Sequence, residues 1–455
     1  MPERLVVIGA DAAGMSCASQ ARRRRDQDDL EIVSFDRGNY TSFSACGIPY
    51  LIGGVVDSLD ELVVRPVEEH RRRGIDVHLR HEVTEIDLDR RRVVVRDLED
   101  DSQRTEDFDL LMVATGAVPV RPNLPGADAG GIFGVQTLDD ARRVLEALSA
   151  RSPRRAVIVG GGYIGIEMAE AMLARGMGVT LVEQAAAPMS TLDPDMGTLV
   201  SDAMRAFGID VRTEDAVEEF ESDDGWVSGV VTASARLPVD VVILGIGVCP
   251  NVSVAEAAGI PLGHSGAIAV DRRMRTKIDG VWAAGDCAEK FHRVSREGVA
   301  IPLGTHANKE GRVAGIDIGG GYETFPGVVG TAVSKVCDLE VARTGLKEAE
   351  CRASGFDYVA ATVDSKTRAG YFPGAADIKT KLIVERRTGR LLGGQIIGRE
   401  DAAKRIDALA VALWNGMSVD KMYQMDLGYA PPFAPVWDPV LVAARRAWEE
   451  VSRRP

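Results

Sequence analysis

The chain has 455 residues, 45% of them hydrophobic and 27% charged, with 48 glycines. That length implies about two to four domains, and that balance excludes a disordered or fibrous protein. A net charge of −14 argues against a general nucleic-acid binder. The six cysteines (Cys17, Cys46, Cys249, Cys287, Cys337, Cys351) lie without a C-x-x-C pair or ligand-like spacing, so neither a disulfide framework nor a metal site is expected.

The N-terminus MPERLVVIGA enters a strand at Leu5 to Ile8 with no charged leader, and no apolar window is long enough to span a bilayer, so a cytoplasmic, reducing location is expected. The strand runs into GADAAG and then MSCASQARRRR, a strand, glycine turn and helix. In the dinucleotide fingerprint G-x-G-x-x-G, Gly9 and Gly14 fill the outer positions and Asp11 the middle one. A second strand, Leu30 to Phe35, ends in Asp36, an acid roughly twenty residues on, as a ribose diol requires. The arginine runs Arg22 to Arg25, Arg71 to Arg73 and Arg90 to Arg92 read first as solvated element ends. Between them lies TSFSACGIPYLIGG, with the lone thiol of Cys46. Gly47 and Pro49 set a turn there, and a helix starting at it would lower the thiol pKa through its dipole.

A fuller copy of the fingerprint follows in AVIVGGGYIGIEMAEAM, with Gly160, Gly162 and Gly165, and the strand VTLVE closes on Glu183. The helix N-terminus after those glycines favours a pyrophosphate, and Glu183 favours the free 2′-hydroxyl of NADH over the phosphate of NADPH. Two such units suggest a flavin facing a nicotinamide. LLMVATGAVP (110–119) and VVILGIGVCPN (241–251) have the form of crossover strands, and VWAAGDCAE (281–289) sets Asp286 at a strand end within reach of a ribityl hydroxyl. A helix expected to begin in GTHANKEGRVAG (304–315) would favour negative charge on a reduced flavin. From about Phe325 strands precede helices, which reads as a separate α+β domain.

Taken together, GADAAGMSCASQARR, SFSACGIPYLIGG, LMVATGAVP, GGGYIGIEMAE, VWAAGDCAE, ANKEGR and LGYAPPF resemble the flavoprotein pyridine nucleotide-disulfide oxidoreductases. Within them the similarity is to the single-cysteine branch of coenzyme A-disulfide reductases, NADH oxidases, NADH peroxidases and polysulfide reductases. The resemblance covers essentially the whole chain. It implies an α/β fold with two Rossmann-like domains, for FAD (1–118 and 248–325) and NAD(P)H (119–247), and a C-terminal α+β dimerisation domain (326–455) in a homodimer. Cofactor contacts are implied at Gly9, Ala12, Ala13, Gly14, Asp36, Arg37 and Val83, and at Ala114, Thr115, Gly116, Asp286 and Ala307. On the second unit they are implied at Gly160, Gly162, Tyr163, Ile164, Glu183 and Gly247, with Tyr163 a gate over the flavin and Glu167 beside the nicotinamide.

By the same resemblance Cys46 cycles between thiolate and a mixed disulfide or sulfenic acid. The two-cysteine relatives carry C-x-x-x-x-C, and here the resolving position is Leu51. A substrate thiol or an oxidant must therefore take the partner's role. Oxidases and peroxidases of the branch carry a histidine where Ala12 stands, which favours the mixed disulfide. Coenzyme A-binding positions fall on Ser16, Gln20, Arg23, Ser42 and Arg73, while Ala45 and Trp437 depart from the pattern. Tyr371 and Tyr429 match tyrosines that reach the cysteine from the partner subunit, either to protonate a thiolate or to pack at the interface. The implied activity is NAD(P)H-dependent, FAD-mediated reduction of a small disulfide, with polysulfide reduction, NADH oxidation or a redox-sensing flavoprotein as alternatives.

Overall fold

The computed structural model describes residues 2–453; the outermost positions of the first and last expected domains, 1 and 454–455, lie outside them. Two five-stranded parallel sheets organise the first three hundred residues. In the first, Glu3–Ile8 pairs in parallel with Leu30–Asp36 on one side and Leu110–Val113 on the other, and Val281–Ala283 adds the edge beyond. Leu5, Val6 and Val7 are wholly buried, which is why this strand reads as an apolar run and not as an alternation. The second sheet is built alike around Arg155–Val159, flanked by Gly178–Val182 and Val241–Leu244. Each unit carries a three-stranded antiparallel flap, at 81–107 and 217–238. Ala117–Pro119 and Val248–Pro250 pair antiparallel where the chain crosses between units.

Helix Ala12–Arg22 lies along helix Gly304–Ile318, and small residues permit the approach. A Cβ on Gly311 would sit 2.1 Å from the Ala13 carbonyl oxygen, and one on Gly315 2.2 Å from that of Cys17. The two glycines thus bring both helix starts to one cleft. The C-terminal region is a five-stranded antiparallel sheet in the order Ala332–Val336, Leu339–Gly345, Leu391–Gly398, Asp377–Glu385, Tyr358–Lys366. Helices Ala402–Trp414 and Pro439–Ser452 cover it, and helix Pro194–Ala206 of the second unit meets its central strand. Leu391–Gly398 is buried at every position, since both faces are occupied. The mixed α/β architecture expected from the sequence is the one found.

Candidate active site

A cleft of about 2690 Å³ opens between the two parallel-sheet units and the C-terminal sheet. Three helices of more than ten residues begin at it without a side-chain cap: Ala12–Arg22 after Asp11, Tyr163–Ala174 after Gly162, and Gly304–Ile318 after Leu303. Their free first-turn N–H groups and positive dipole ends suit anionic or electron-rich ligand atoms. The glycines that shape the turns are sterically required. Gly9 has φ +104° and a Cβ there would lie 2.2 Å from the Ala114 oxygen; Gly160 has φ +96°.

The acid closing each second strand does a task the sequence did not disclose. Asp36 accepts from Ala10 N–H and Gly38 N–H, each at 2.7 Å, and Glu183 accepts from Gly161 N–H at 2.7 Å and Ala185 N–H at 2.8 Å. Each carboxylate therefore holds its own glycine turn in shape. Each oxygen keeps a second lone pair for a ligand hydroxyl. Burial pushes the Asp36 carboxyl above its ordinary range, against the pull of those two amides.

Asp11, in the fingerprint's middle position, accepts from Phe43 N–H at 3.1 Å. Burial raises its carboxyl to about 7, assisted by Asp36 and Asp286, so near neutrality much of its negative charge is absent from the start of helix Ala12–Arg22. The Ala10 carbonyl accepts from the Thr41 hydroxyl at 2.5 Å and from Ser42 N–H at 3.2 Å. These three bonds bolt the segment leading to Cys46 onto the first glycine turn. Cys46 itself lies on a three-residue turn of 3₁₀ helix, Ala45–Gly47, before the five-residue helix Ile48–Ile52. All six cysteines are free; Cys46 and Cys249 are exposed and the rest buried. Against the expectation of a thiol lowered by a helix dipole, Cys46 is pushed up, by the surrounding protein mass first and then by the Glu167 carboxylate, with its own backbone amide opposing. The helix is a single turn and starts two residues late. Glu167, itself raised by burial, accepts from the Ser334 hydroxyl at 3.2 Å.

Beneath the cleft a fully buried pair fixes the turn of Asp286. Lys290 Nζ donates to the Gly285 and Ala288 carbonyls at 2.8 and 3.0 Å, Glu310 accepts from Gly285 N–H at 2.8 Å, and the two charges are 3.5 Å apart. Asp286 Oδ1 is buried on the cleft wall without a partner. An orphaned acceptor beside three uncapped helix starts is the donor and acceptor set that a flavin dinucleotide needs, so the residues fit one.

Of the other residues singled out in the sequence, Ala12, Ser16, Gln20, Arg23, Arg37, Ser42, Val83, Ala114, Thr115, Gly116, Tyr163, Ile164, Gly247 and Ala307 line the same cleft. Ala13 and Gly14 are buried in the helix packing behind it. Arg73, the residue that caps the C-terminus of helix Val67–Arg72, is off the cleft wall and pairs with Glu69 of that helix. Tyr371 and Tyr429 are exposed on the C-terminal region, outside the cleft. Sequence reasoning missed Ser19, whose buried hydroxyl has no partner on the cleft wall. The signal was present: Ser16, Ser19, Gln20 and Arg23 share one face at helical spacing. Also missed were Arg65 on the wall and His70 behind it. His70 Nε2 is 3.0 Å from the Ser42 hydroxyl, and burial lowers the imidazole to about 4, keeping it neutral.

Residues 3–311 match the family description "Pyridine nucleotide-disulphide oxidoreductase", and 331–439 match its dimerisation domain. The chain belongs to the pyridine nucleotide-disulphide oxidoreductase family. It is 37% identical over 447 residues to the NAD(P)H coenzyme A polysulfide/persulfide reductase of Pyrococcus horikoshii, covering 98% of each chain. With the NADH oxidase of Methanocaldococcus jannaschii it shares 35% identity, covering 99% of this chain and 100% of that one. Among solved structures it superposes on the NAD-dependent persulfide reductase of A. fulgidus with a TM-score of 0.94 at 38% identity, covering 98% of this chain and 83% of the other. This member of the family is accordingly an oxidoreductase using FAD and NAD(P)H. No helix among the described residues is long and apolar enough to cross a membrane.

Proposed function

We propose that the protein reduces the sulfur–sulfur bond of a small, phosphate-bearing substrate, a coenzyme A disulfide, persulfide or polysulfide, at the expense of NADH. The observation that carries this is one accessible thiol, Cys46, in the cleft shared by both glycine loops, with buried Leu51 where a resolving sulfur would stand. The P. horikoshii and A. fulgidus proteins, named for persulfide or polysulfide reduction, support it.

Bound FAD, held by Gly9, Asp36 and Asp286 and at the start of helix Gly304–Ile318, supplies a two-electron relay between nicotinamide hydride and sulfur. The chain's own residues do the rest. The Cys46 thiolate attacks one sulfur of RS–SR, forming Cys46–S–S–R and expelling RS⁻, which takes up a proton. Two electrons from NADH then cleave that bond, returning the Cys46 thiolate and a second RS⁻. Overall, NADH, a proton and RSSR become NAD⁺ and two RSH. Because burial and Glu167 disfavour the Cys46 anion, the thiolate is a strong nucleophile once formed. Ser16, Gln20, Arg23 and Ser42 bind the phosphate-bearing half, and Glu183 selects NADH. Tyr371 and Tyr429, reaching in from the partner subunit, complete the site in a cytoplasmic homodimer, with the domain limits given by the sequence.

Cys46→Ser is the test. With NADH and coenzyme A disulfide or a coenzyme A persulfide under argon, the variant is expected to retain FAD and release no thiol. Retention of wild-type thiol release removes the reading. The alternative oxidase cycle, for which the M. jannaschii relative speaks, predicts stoichiometric dimedone trapping of Cys46 sulfenic acid during aerobic turnover.

A further inference from the structure

The second unit's glycine turn is buttressed by the loop that precedes helix Pro194–Ala206. Met189, held at φ 56°, donates its N–H to the Gly161 oxygen at 2.7 Å, and Pro188 is the nearest side chain to Gly161. The Thr191 hydroxyl meets the Tyr163 hydroxyl at 3.4 Å, and Ser190 and Thr191 both line the cleft. What holds this loop is outside its own unit. Asp193, 2% exposed, gives every polar group except its carbonyl to the C-terminal sheet and the helix beside it. Its N–H donates to Gln395 Oε1 at 3.0 Å, Oδ2 accepts from Gln395 Nε2 at 2.8 Å, and Oδ1 accepts from Glu348 N–H at 2.9 Å. Lys347 Nζ donates to the Ser190 carbonyl.

At the centre stands Lys381, on a C-terminal strand and 3% exposed. Its Nζ lies 3.2 Å from Asp193, 2.7 Å from Asp195 and 2.7 Å from Glu348. Those three carboxylates are close enough together to chelate a metal ion. The cation between them is the lysine's own. Burial works against its charge, yet hydrogen bonds to Asp195 and Glu348 and the charge on Asp193 hold it up, to about 12. Losing that charge would leave the buried Asp193 carboxylate uncompensated beside those of Asp195 and Glu348, all three repelling one another across the junction.

We propose that Lys381 is a positioning residue for the nicotinamide nucleotide: the C-terminal sheet grips the Asp193 loop through its ammonium, and the loop in turn sets Gly161 and Tyr163. This rests on the reading that the 160–165 turn takes that nucleotide. The chain of contact runs from Lys381 to Asp193, along four residues to Met189, and into the turn whose Gly160 and Gly162 line the cleft. Docking of the C-terminal region thereby sets nucleotide affinity in a unit it does not belong to.

The test uses flavin-loaded enzyme and four variants. Lys381→Met is expected to raise the KM for NADH about tenfold, with FAD content and the KM for the sulfur substrate unchanged, and Lys381→Arg to restore much of the loss. Lys347→Ala, at a half-buried position whose Nζ bonds the Ser190 carbonyl, is expected to raise the NADH KM a few-fold with little change in thermal stability, and it decides the matter if Lys381→Met does not hold flavin. Gly162→Ala separates the two layers of argument, since its Cβ would meet nothing nearer than 3.4 Å yet stands at the helix start. If it leaves the NADH KM unchanged, the glycine-turn reading falls. If it raises that KM while the Lys381 and Lys347 variants do not, or if those two disturb both substrates alike, the positioning role is refuted.

Discussion

Replacing Lys290 with Met tests whether the buried pair under the cleft holds the Asp286 turn. Two hydrogen bonds from Nζ, at 2.8 and 3.0 Å, disappear, and Glu310, fully buried, is left without a counter-charge and with the Asp286 carboxylate nearby. Breaking a buried pair from one side costs about 3–5 kcal/mol. The carboxyl can escape part of this by taking up a proton. Burial already raises it from an ordinary 4.5 to about 7, with Lys290 opposing. A carboxyl whose native pKa lies above its unfolded value stabilises below the unfolded value and loses that contribution as pH rises through the native one. From 4.5 to about 7 this amounts to about 3 kcal/mol. Without Lys290 the window extends above 7, so the variant's deficit should be larger at pH 8 than at pH 5 and grow by about 1.4 kcal/mol per pH unit above 7. Thermal unfolding from pH 5 to 8, with flavin retention measured alongside, reads it directly. Lys290→Met/Glu310→Gln should recover most of the loss. A single variant within about 1 kcal/mol of wild type at pH 8, smaller than a lost buried hydrogen bond, or a deficit independent of pH, would refute the reasoning.

Glu183→Ser should shift the ratio of kcat/KM for NADPH over NADH upward by at least about tenfold. A wild-type enzyme that already prefers NADPH would overturn the role given to Glu183. Glu167→Gln removes a carboxylate that raises the Cys46 thiol, so the pH profile of Cys46 alkylation by iodoacetamide should move to lower pH; an unmoved profile would show that the charge is not felt. Gly311→Ala places a Cβ 2.1 Å from the Ala13 oxygen and should cost about 1–3 kcal/mol and loosen flavin binding. Unchanged melting and flavin content would show that the two helices have room.

What the sequence disclosed, and what it withheld, follows from range. Gly9, Gly160 and the strands beside them were legible because a turn at positive φ with a carbonyl pressed against it tolerates no Cβ, and parallel strands buried on both faces must be apolar. Asp36 and Glu183 were recognised as strand-end acids, but the amides they hold were not, since those bonds depend on how the turn folds back. The task of Asp11 was hidden for the same reason: its partner Phe43 is 32 residues on. Arg73 is placed by helix register, which turns it to Glu69 and away from the cleft. Lys381 and Asp193 are 188 residues apart, 381 less 193, and nothing local marks either as a partner. The Cys46 environment eluded the sequence because a thiol's acidity depends on mass and charge brought from the second unit.

The edge strand Val281–Ala283 and the helix Gly304–Ile318 finish a sheet and a helix pair begun before residue 114. A ribosome making this chain therefore emits the entire second unit before it supplies the pieces that close the first. During synthesis the earlier half-built layer must wait, its apolar edge uncovered, while the later one can already fold. The thiol of Cys46 thus spends its first moments beside a helix that has yet to meet its partner.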